Sequence, residues 1–195
     1  MNRNRLAVAL FTALLLTAAF AATAGANVLG TMEIYGGYAK SSTEMAPAPN
    51  ETLGGGMSFG AGYFRTLAPT TQWGIEASYD NLGSLDWTGN TGTTSASIFR
   101  VSPQFRMNFG APVGPSFFAQ GGVGYYNVSA TAEDNTLGIS TDASEGKFGF
   151  NLGAGVGFPV GPKTKLSFQG QYHSVSTEVT STNYMNFRAG LGFSL

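Results

Sequence analysis

Residues 184–195 read Tyr-Met-Asn-Phe-Arg-Ala-Gly-Leu-Gly-Phe-Ser-Leu, and this stretch decides the fold. Apolar side chains stand at every second position from Met185 to Leu195, whereas small or polar residues such as Asn186 and Arg188 lie between them. Because successive side chains of a β-strand point to opposite faces, this segment has one apolar and one polar face. A strand of a soluble β-sandwich can show the same pattern, so the rest of the chain must decide what the apolar face contacts.

The amino terminus has the composition of a secretory leader. Two arginines precede an apolar run from Leu6 to Leu16, and small residues then lead to an Ala-x-Ala site at positions 24–26. This order predicts a cleaved signal peptide over residues 1–26 and one mature domain over residues 27–195. A retained membrane anchor is the alternative, but the apolar run is shorter than the ~20 residues that a helical span needs.

Composition and charge exclude several classes of protein. The predicted leader holds 2 of the 10 Lys and Arg residues, which leaves 8 basic groups against 11 acidic groups and a formal charge of −3. Nucleic-acid binding would need a basic surface. The chain has no cysteine and a single histidine, so disulfides, thiol chemistry and a multi-histidine metal site within one chain are excluded. We therefore expect no catalytic metal, no cofactor and no nucleic-acid partner.

Period-two alternation recurs in eight segments, and the links between these segments are alternately long and short. The long links cover residues 40–53, 81–94, 129–146 and 174–183, and the short turns cover 65–69, 110–115 and 159–162. No helical periodicity of comparable quality follows the leader. Bacterial outer-membrane barrels have an even number of strands, short periplasmic turns and longer outer loops. The pattern predicts an all-β fold, an eight-stranded antiparallel up-and-down transmembrane β-barrel with both chain ends in the periplasm.

Aromatic residues gather near both ends of the predicted strands, on the apolar face. Aromatic side chains are enriched at the two interfaces between a membrane and water, whereas a soluble sandwich gives no reason for two such bands. The sequence therefore predicts two membrane-interface bands. The band beside the short turns comprises Tyr63, Trp73, Phe109, Phe117, Phe158 and Phe193, and the band beside the long links comprises Tyr38, Tyr79, Phe99, Tyr125, Phe148 and Tyr172.

Leader, strand pattern and terminal strand, together with glycine-rich stretches such as residues 121–126 (Gly-Gly-Val-Gly-Tyr-Tyr), resemble a known family. The chain is similar over its whole mature length to the small outer-membrane β-barrel family, which includes the transmembrane domain of OmpA and the OmpX/Ail-type barrels. The resemblance implies a multi-pass barrel in the bacterial outer membrane, surrounded by outer-membrane lipid. It also implies recognition of the C-terminal strand by the outer-membrane assembly machinery, although that family signal usually ends in Phe and this chain ends in Leu195. We further expect a monomer.

Several charged and amide side chains fall on the polar face of the predicted strands. The lumen of an eight-stranded barrel is just wide enough for side chains to fill, and an unpaired buried charge costs several kcal/mol. We interpret the set as an internal polar plug, with an ion path as the alternative. Counting from the short turns places Glu76 and Arg106 at similar heights, which predicts an ion pair between them. The predicted lumen network comprises Glu33, Glu76, Arg100, Gln104, Arg106, Gln120, Gln169 and Arg188.

The first functional hypothesis is a non-enzymatic barrel, structural or adhesive, whose four long loops contact an extracellular or host ligand. Loops on a rigid scaffold commonly carry contact functions, although these loops offer few large apolar side chains beyond Met45 and Trp87. The second hypothesis is a narrow porin-like channel for ions or small solutes. The two hypotheses differ in whether the lumen conducts.

An outer-membrane lipid hydrolase is the third hypothesis and the weakest. The stretch His173-Ser174-Val175-Ser176 superficially resembles the His-x-Ser-Asn element of outer-membrane lipid A deacylases. The residue two positions after His173 is valine rather than serine, and strand parity points the imidazole inward, away from lipid. We therefore expect no enzymatic activity.

Overall fold

The computed structural model describes residues 30–42, 53–87, 91–110, 114–176 and 182–195. The predicted leader over residues 1–26 lies outside the described residues, as do most of the first long link and half of the fourth. Within the described residues, no helix has the length and apolar character that a membrane-spanning helix needs. The eight strands are β1 Gly30–Ser41, β2 Gly56–Ala68, β3 Thr71–Asp86, β4 Gly92–Gly110, β5 Ser116–Asp134, β6 Ile139–Pro159, β7 Thr164–Val175 and β8 Thr182–Ser194.

The strands form a closed antiparallel barrel in chain order. Each strand pairs with the next, and β8 pairs with β1 from Ser194 opposite Thr31 to Tyr184 opposite Ser41. This pairing removes both sheet edges, so backbone groups inside the ring find partners on neighbouring strands. The predicted eight-stranded up-and-down barrel is confirmed.

The two faces of the barrel wall differ in the way that the period-two pattern predicts. Outward side chains such as Phe150 and Leu152 are 51% and 64% exposed, whereas the inward Asn151 between them is 2% exposed. Glycine makes room in the narrow lumen: a Cβ built on Gly155 would lie 2.4 Å from the Cζ atom of Phe118. The ring around Asn151 is therefore apolar on its outer wall and polar on its inner wall.

The barrel wall is much taller on one side. We call the end with the long links the outer end and the end with the short turns the inner end. Pairing between β4 and β5 continues outward to Gly92 opposite Asp134, and pairing between β5 and β6 continues to Ile139. Pairing between β6 and β7, in contrast, ends at Gly149 opposite Val175. Strands β3 to β6 thus extend beyond the ring as a protruding sheet, which consists of residues 81–86, 92–98, 127–134 and 139–147.

The protruding sheet corrects two of the predicted loops. The links predicted over 81–94 and 129–146 are mostly strand, and the four residues 135–138 form the whole turn between β5 and β6. The prediction was wrong because the outward positions become polar beyond the lipid-facing wall, while the inward positions carry small residues such as Ala130, Ala132 and Ala143. The outward apolar alternation therefore ends while backbone pairing continues.

The two faces of β6 give a direct test of which side meets lipid. We expect Phe150→Arg to destabilise the barrel by about 2–4 kcal/mol in a bilayer, because a charge in mid-membrane loses its hydration. Asn151→Ala should cost only about 1 kcal/mol, the net value of one hydrogen bond such as the one that its amide donates to Tyr126. Unfolding titrations in liposomes measure both values, and equal costs would contradict the assignment of the faces.

Candidate functional site

The lumen holds a charge-balanced polar network. Of the described residues, three carboxylates and three guanidinium groups are buried inside the barrel, each residue at most 6% exposed. Equal numbers of each sign leave the interior without a formal net charge. These residues are Glu33, Glu76, Asp80, Arg100, Arg106 and Arg188.

Glu76 lies at the centre of the network. Its Oε1 atom accepts hydrogen bonds from Arg100 Nη2 and from both terminal nitrogens of Arg188, the latter at 3.2 Å. Arg100 also donates from Nη1 to Ser102 at 2.7 Å. The Arg188 guanidinium lies over the Tyr35 ring, with 3.9 Å between Cζ and the ring centroid. One carboxylate therefore orients two arginines from β4 and β8 across the lumen.

A second ion pair closes the inner end of the lumen. Arg106 donates to both carboxylate oxygens of Glu33, at 2.6 and 2.8 Å, and from Nε to Gln120 at 2.9 Å. Its guanidinium lies between two rings, 3.8 Å from the centroid of Phe64 and 4.5 Å from that of Phe118. A bidentate pair between aromatic faces is a rigid, water-excluding arrangement.

The predicted ion pair between Glu76 and Arg106 is wrong. The register places Glu76 opposite Ser102, so Arg100 is two positions away on β4 and Arg106 is four positions away in the other direction. The prediction used only the number of residues between each side chain and its turn, and it did not include the register between the strands. Arg106 pairs instead with Glu33 on β1, which is not a hydrogen-bonded neighbour of β4.

The three glutamines of the predicted network are all buried in the lumen. Gln104 donates to Ser102 at 2.7 Å, and Gln120 accepts from Arg106. The Oε1 atom of Gln169 accepts no hydrogen bond among the described residues. Buried amides without protein partners commonly bind internal water.

The sequence analysis missed Asp80, which organises the outer half of the lumen. Its carboxylate accepts hydrogen bonds from the hydroxyls of Ser58 at 2.5 Å, Tyr184 at 3.0 Å and Ser78 at 3.1 Å, and from the Asn186 amide at 3.3 Å. Four donors offset the desolvation of a carboxylate that contacts no arginine among the described residues. Strand parity was the available signal, because Asp80 has the same parity as the inward Glu76.

An apolar cluster, which we call the outer cap, closes the lumen beyond Asp80. The side chains of the cap are fully buried, and most of them come from the outer ends of the strands. A water-filled pore could not pass through such a cluster without opening it. The large members of the outer cap are Leu53, Leu82, Ile98, Tyr126, Val175 and Tyr184.

Leu53 reaches the outer cap from the segment that precedes β2. Backbone bonds hold this segment against β3: Gly54 donates to Ser84 at 3.3 Å, and Gly55 donates to Leu82 at 2.9 Å. Gly55 has a φ of 86°, a conformation that favours glycine. The segment is therefore held in a fixed position over the lumen and is not part of a free loop.

His173 lies directly beneath the outer cap and is fully buried. Its ring stacks on Tyr184 with centroids 4.3 Å apart, and its Nδ1 atom lies 3.3 Å from the Tyr126 hydroxyl. Among the described residues, no carboxylate hydrogen-bonds to His173. The described residues also contain no group of three or more His, Cys, Asp and Glu that could hold a metal ion. The surroundings of His173 are those of a packed core residue.

The residues predicted for the two interface bands all carry their rings on the outer wall. Nine of the twelve are more than one third exposed, from Phe158 and Tyr172 at 37% to Phe148 at 76%. Tyr63, Tyr79 and Phe99 are half-buried, and the Tyr79 ring packs against Phe59 with centroids 5.3 Å apart. The rings thus lie on the same side of the wall as the apolar belt.

Comparison with known proteins agrees with this architecture. The family described as outer membrane protein beta-barrel domain matches residues 11–194, almost the whole chain. The chain belongs to this family. It is therefore a bacterial outer-membrane protein, as the alternating strands predicted.

Solved barrels of the same kind share the fold at low sequence identity. Neisserial surface protein A matches with a TM-score of 0.62 at 12% identity, over 85% of this chain and 97% of that one. A major outer membrane protein from Thermus thermophilus matches with a TM-score of 0.55 at 12% identity, over 85% and 99%. Ail of Yersinia pestis, in complex with the heparin analogue sucrose octasulfate, matches with a TM-score of 0.53 at 17% identity, over 85% and 99%. No curated protein matches the chain.

The central ion pair can be tested by a double-mutant cycle on Glu76 and Arg100. Glu76→Gln should destabilise the barrel by about 3 kcal/mol, because it leaves the buried Arg100 and Arg188 without their carboxylate. Arg100→Met should cost less, because Arg188 still pairs with Glu76. The double variant should lose less than the sum, with a coupling energy of about 1 kcal/mol or more in reversible unfolding. Replacing Arg100→Met by Arg106→Met gives the control, for which we expect additivity within about 0.5 kcal/mol. Stronger coupling to Arg106 than to Arg100 would contradict the observed pairing.

The outer cap can be tested through His173, the only histidine of the chain. In a tag-free protein, diethyl pyrocarbonate should modify His173 very slowly, because the imidazole is fully buried. Leu53→Ser should raise the rate about tenfold or more, since truncating a buried leucine costs about 2–5 kcal/mol and favours local opening. Leu137→Ser, which changes a leucine that is 69% exposed, is the matched control. Equal rates in all three proteins, measured by mass spectrometry, would show that Leu53 does not seal the lumen.

Proposed function

We propose that this chain is a non-enzymatic, non-conducting outer-membrane protein that contacts partners outside the cell through its protruding sheet. The observation that supports the proposal is the combination of a filled lumen and an ordered protruding sheet. The Glu33–Arg106 pair, the Glu76 cluster and the outer cap occupy the lumen in succession from the inner to the outer end. This packing favours a plug over the narrow channel.

The turn between β5 and β6 presents the clearest contact feature of the outer end. Leu137 and Ile139 are 69% and 57% exposed at this tip, although they lie far from the apolar belt. The Asp134 carboxylate holds the turn in shape by accepting hydrogen bonds from the amides of Thr136 at 2.8 Å and Leu137 at 3.0 Å. Exposed apolar side chains on a rigid support are typical anchors of protein interfaces.

The apolar anchors expected from sequence contribute less to this surface. Trp87 is half-buried, and its indole nitrogen donates to Thr94 at 2.9 Å, so the ring belongs to the sheet. Met45 lies outside the described residues. Periodicity could not reveal the roles of Leu137 and Ile139, because the exposed tip of a hairpin is defined only by the pairing of its strands.

Charge near the tip favours a basic partner. Glu133, Asp134 and Asp142 stand close to the turn, whereas Lys147 pairs with Glu145 further down the sheet. The Ail complex contains a sulfated sugar, which is an anionic ligand. An acidic tip would repel such a polyanion, so the partner proposed for this chain is a protein surface with apolar and basic side chains.

The same proposal places the chain as a monomer surrounded by outer-membrane lipid. Exposed aromatic rings at both ends of the outer wall, for example Trp73 and Phe148, support anchoring at the two membrane interfaces. The alternating β8 strand, which closes the barrel on β1, is the segment that the assembly machinery would recognise. Burial of His173 beneath the outer cap supports the absence of a hydrolase site.

Adherence of cells that display the protein tests the contact function. We expect cells with the wild-type protein to bind surfaces coated with a basic protein better than surfaces coated with an acidic one. The double change Leu137→Ser and Ile139→Ser should abolish the better binding to the basic protein, since it removes both anchors and leaves the barrel unchanged. Val160→Ser is the matched control, because Val160 is 58% exposed in a turn at the inner end. Wild-type adherence no greater than that of cells without the protein would contradict the proposal.

Planar-bilayer recording tests the non-conducting lumen separately. We expect no discrete conductance steps from the purified wild-type protein, because filled cross-sections leave no continuous water path. Regular steps from the wild type would favour the channel instead. The adherence assay on cells shows whether the contact function stands independently of the conductance result.

A further inference from the structure

The outward face of the protruding sheet changes character abruptly above the apolar belt. The belt ends on these strands with Tyr79, Phe99, Tyr125 and Phe148, all on the outer wall. Beyond it, the outward positions of β3 to β6 align in three rows of four, and each position holds Ser, Thr, Asn, Asp or Glu. The rows are Asn81–Ser97–Ser129–Ser144, Ser84–Ser95–Thr131–Asp142 and Asp86–Thr93–Glu133–Ser140. We call these twelve positions the hydroxyl face.

Side chains of the hydroxyl face hold one another in place. The Ser129 and Ser144 hydroxyls lie 3.1 Å apart, and Thr131 donates to Asp142 at 2.6 Å. Thr93 donates to Asp86 at 3.0 Å in the outermost row. Short side chains that are already ordered lose little rotamer entropy when they bind a ligand.

The opposite face of the same sheet shows that this chemistry is not a general property of solvent-exposed strands. Inward-facing positions of the same strands are mostly apolar and include Ala96, Val128, Ala130, Ala132 and Ala143. Polar hydroxyl, amide and carboxyl groups are therefore concentrated on the side that continues the lipid-facing wall.

Position and chemistry together identify the occupant. Long-loop ends of outer-membrane barrels face the cell exterior, so a surface directly above the belt lies at the level of the outer-leaflet headgroups. None of the twelve positions is Lys or Arg, whereas three are acidic, so phosphate groups would be repelled. Hydroxyl and carboxylate groups instead match the alternating donors and acceptors of a neutral sugar.

From these observations we infer that the hydroxyl face binds the neutral saccharide part of the surrounding outer-leaflet glycolipid. Strands lie ~4.8 Å apart and same-face residues ~6.8 Å apart, so the grid measures ~14 Å in each direction. This area accommodates two or three sugar rings side by side. Binding there would hold the protruding sheet in a layer of sugar and leave the tip, with Leu137 and Ile139, free for contacts above it.

Amide NMR of the full barrel in a zwitterionic detergent tests this inference. The probe is the soluble saccharide that mild acid releases from lipopolysaccharide, free of its lipid part. We expect saturable shifts at the amides of Ser97, Ser129 and Thr131. Ser129→Val with Thr131→Val should weaken the apparent affinity about tenfold, since it removes central hydroxyls but keeps residues that favour strands.

Ala130→Val with Ala132→Val is the matched control, because it adds bulk to the same strand on the opposite face. This control should bind the saccharide as the wild type does. Shifts confined to the tip or to the opposite face, or equal affinities of the two double variants, would overturn the inference. Loss of binding on addition of EDTA would also overturn it, because a divalent cation would then be bridging the carboxylates to anionic groups of the saccharide.

Discussion

Closure of the backbone hydrogen-bond ring is the constraint on which the rest of this structure depends. A strand in lipid cannot leave its N–H and C=O groups without partners, and only pairing of β8 with β1 removes the last two edges. Once the ring of eight strands is closed, the outer wall must be apolar and the lumen must be narrow. The alternation from Met185 to Leu195 satisfies both requirements in one strand, because each apolar residue on the wall alternates with a small or polar residue inside.

The narrow lumen in turn dictates how its contents are arranged. The Phe118 ring fits only because its neighbour on β6 is Gly155, where a Cβ would lie 2.4 Å from the ring. Charges confined in this space need partners of opposite sign, and Glu76 supplies one for both Arg100 and Arg188. The barrel therefore has ion pairs and amides in its interior and hydrocarbon side chains on its outer surface, which is the reverse of a soluble protein. Such an interior stabilises the scaffold.

Unequal strand lengths separate the scaffold from the protruding sheet. The longer β3 to β6 strands project a sheet whose outward side is polar and whose tip exposes Leu137 and Ile139. This projection is ordered by strand pairing and not by lipid, so its side chains are free of the apolar requirement that governs the wall. The residues that make contacts in the protruding sheet can therefore vary without impairing insertion of the barrel into the membrane. The proposed partner at the tip and the proposed saccharide at the hydroxyl face use different parts of the same projection.

The sequence by itself determined the strand number, the topology and the inward or outward direction of each side chain in the wall, because parity along a strand is a local property. It also predicted that Glu33, Glu76 and the arginines share the lumen. Only the tertiary structure decided which of them pair, since the register between strands and contacts across the ring join residues such as Glu33 and Arg106 that are 73 positions apart. The tertiary structure also decided that residues 129–134 and 139–146 are strand. Beyond the lipid-facing wall the outward positions become polar and the inward ones are mostly small, so the outward apolar alternation ends while backbone pairing continues.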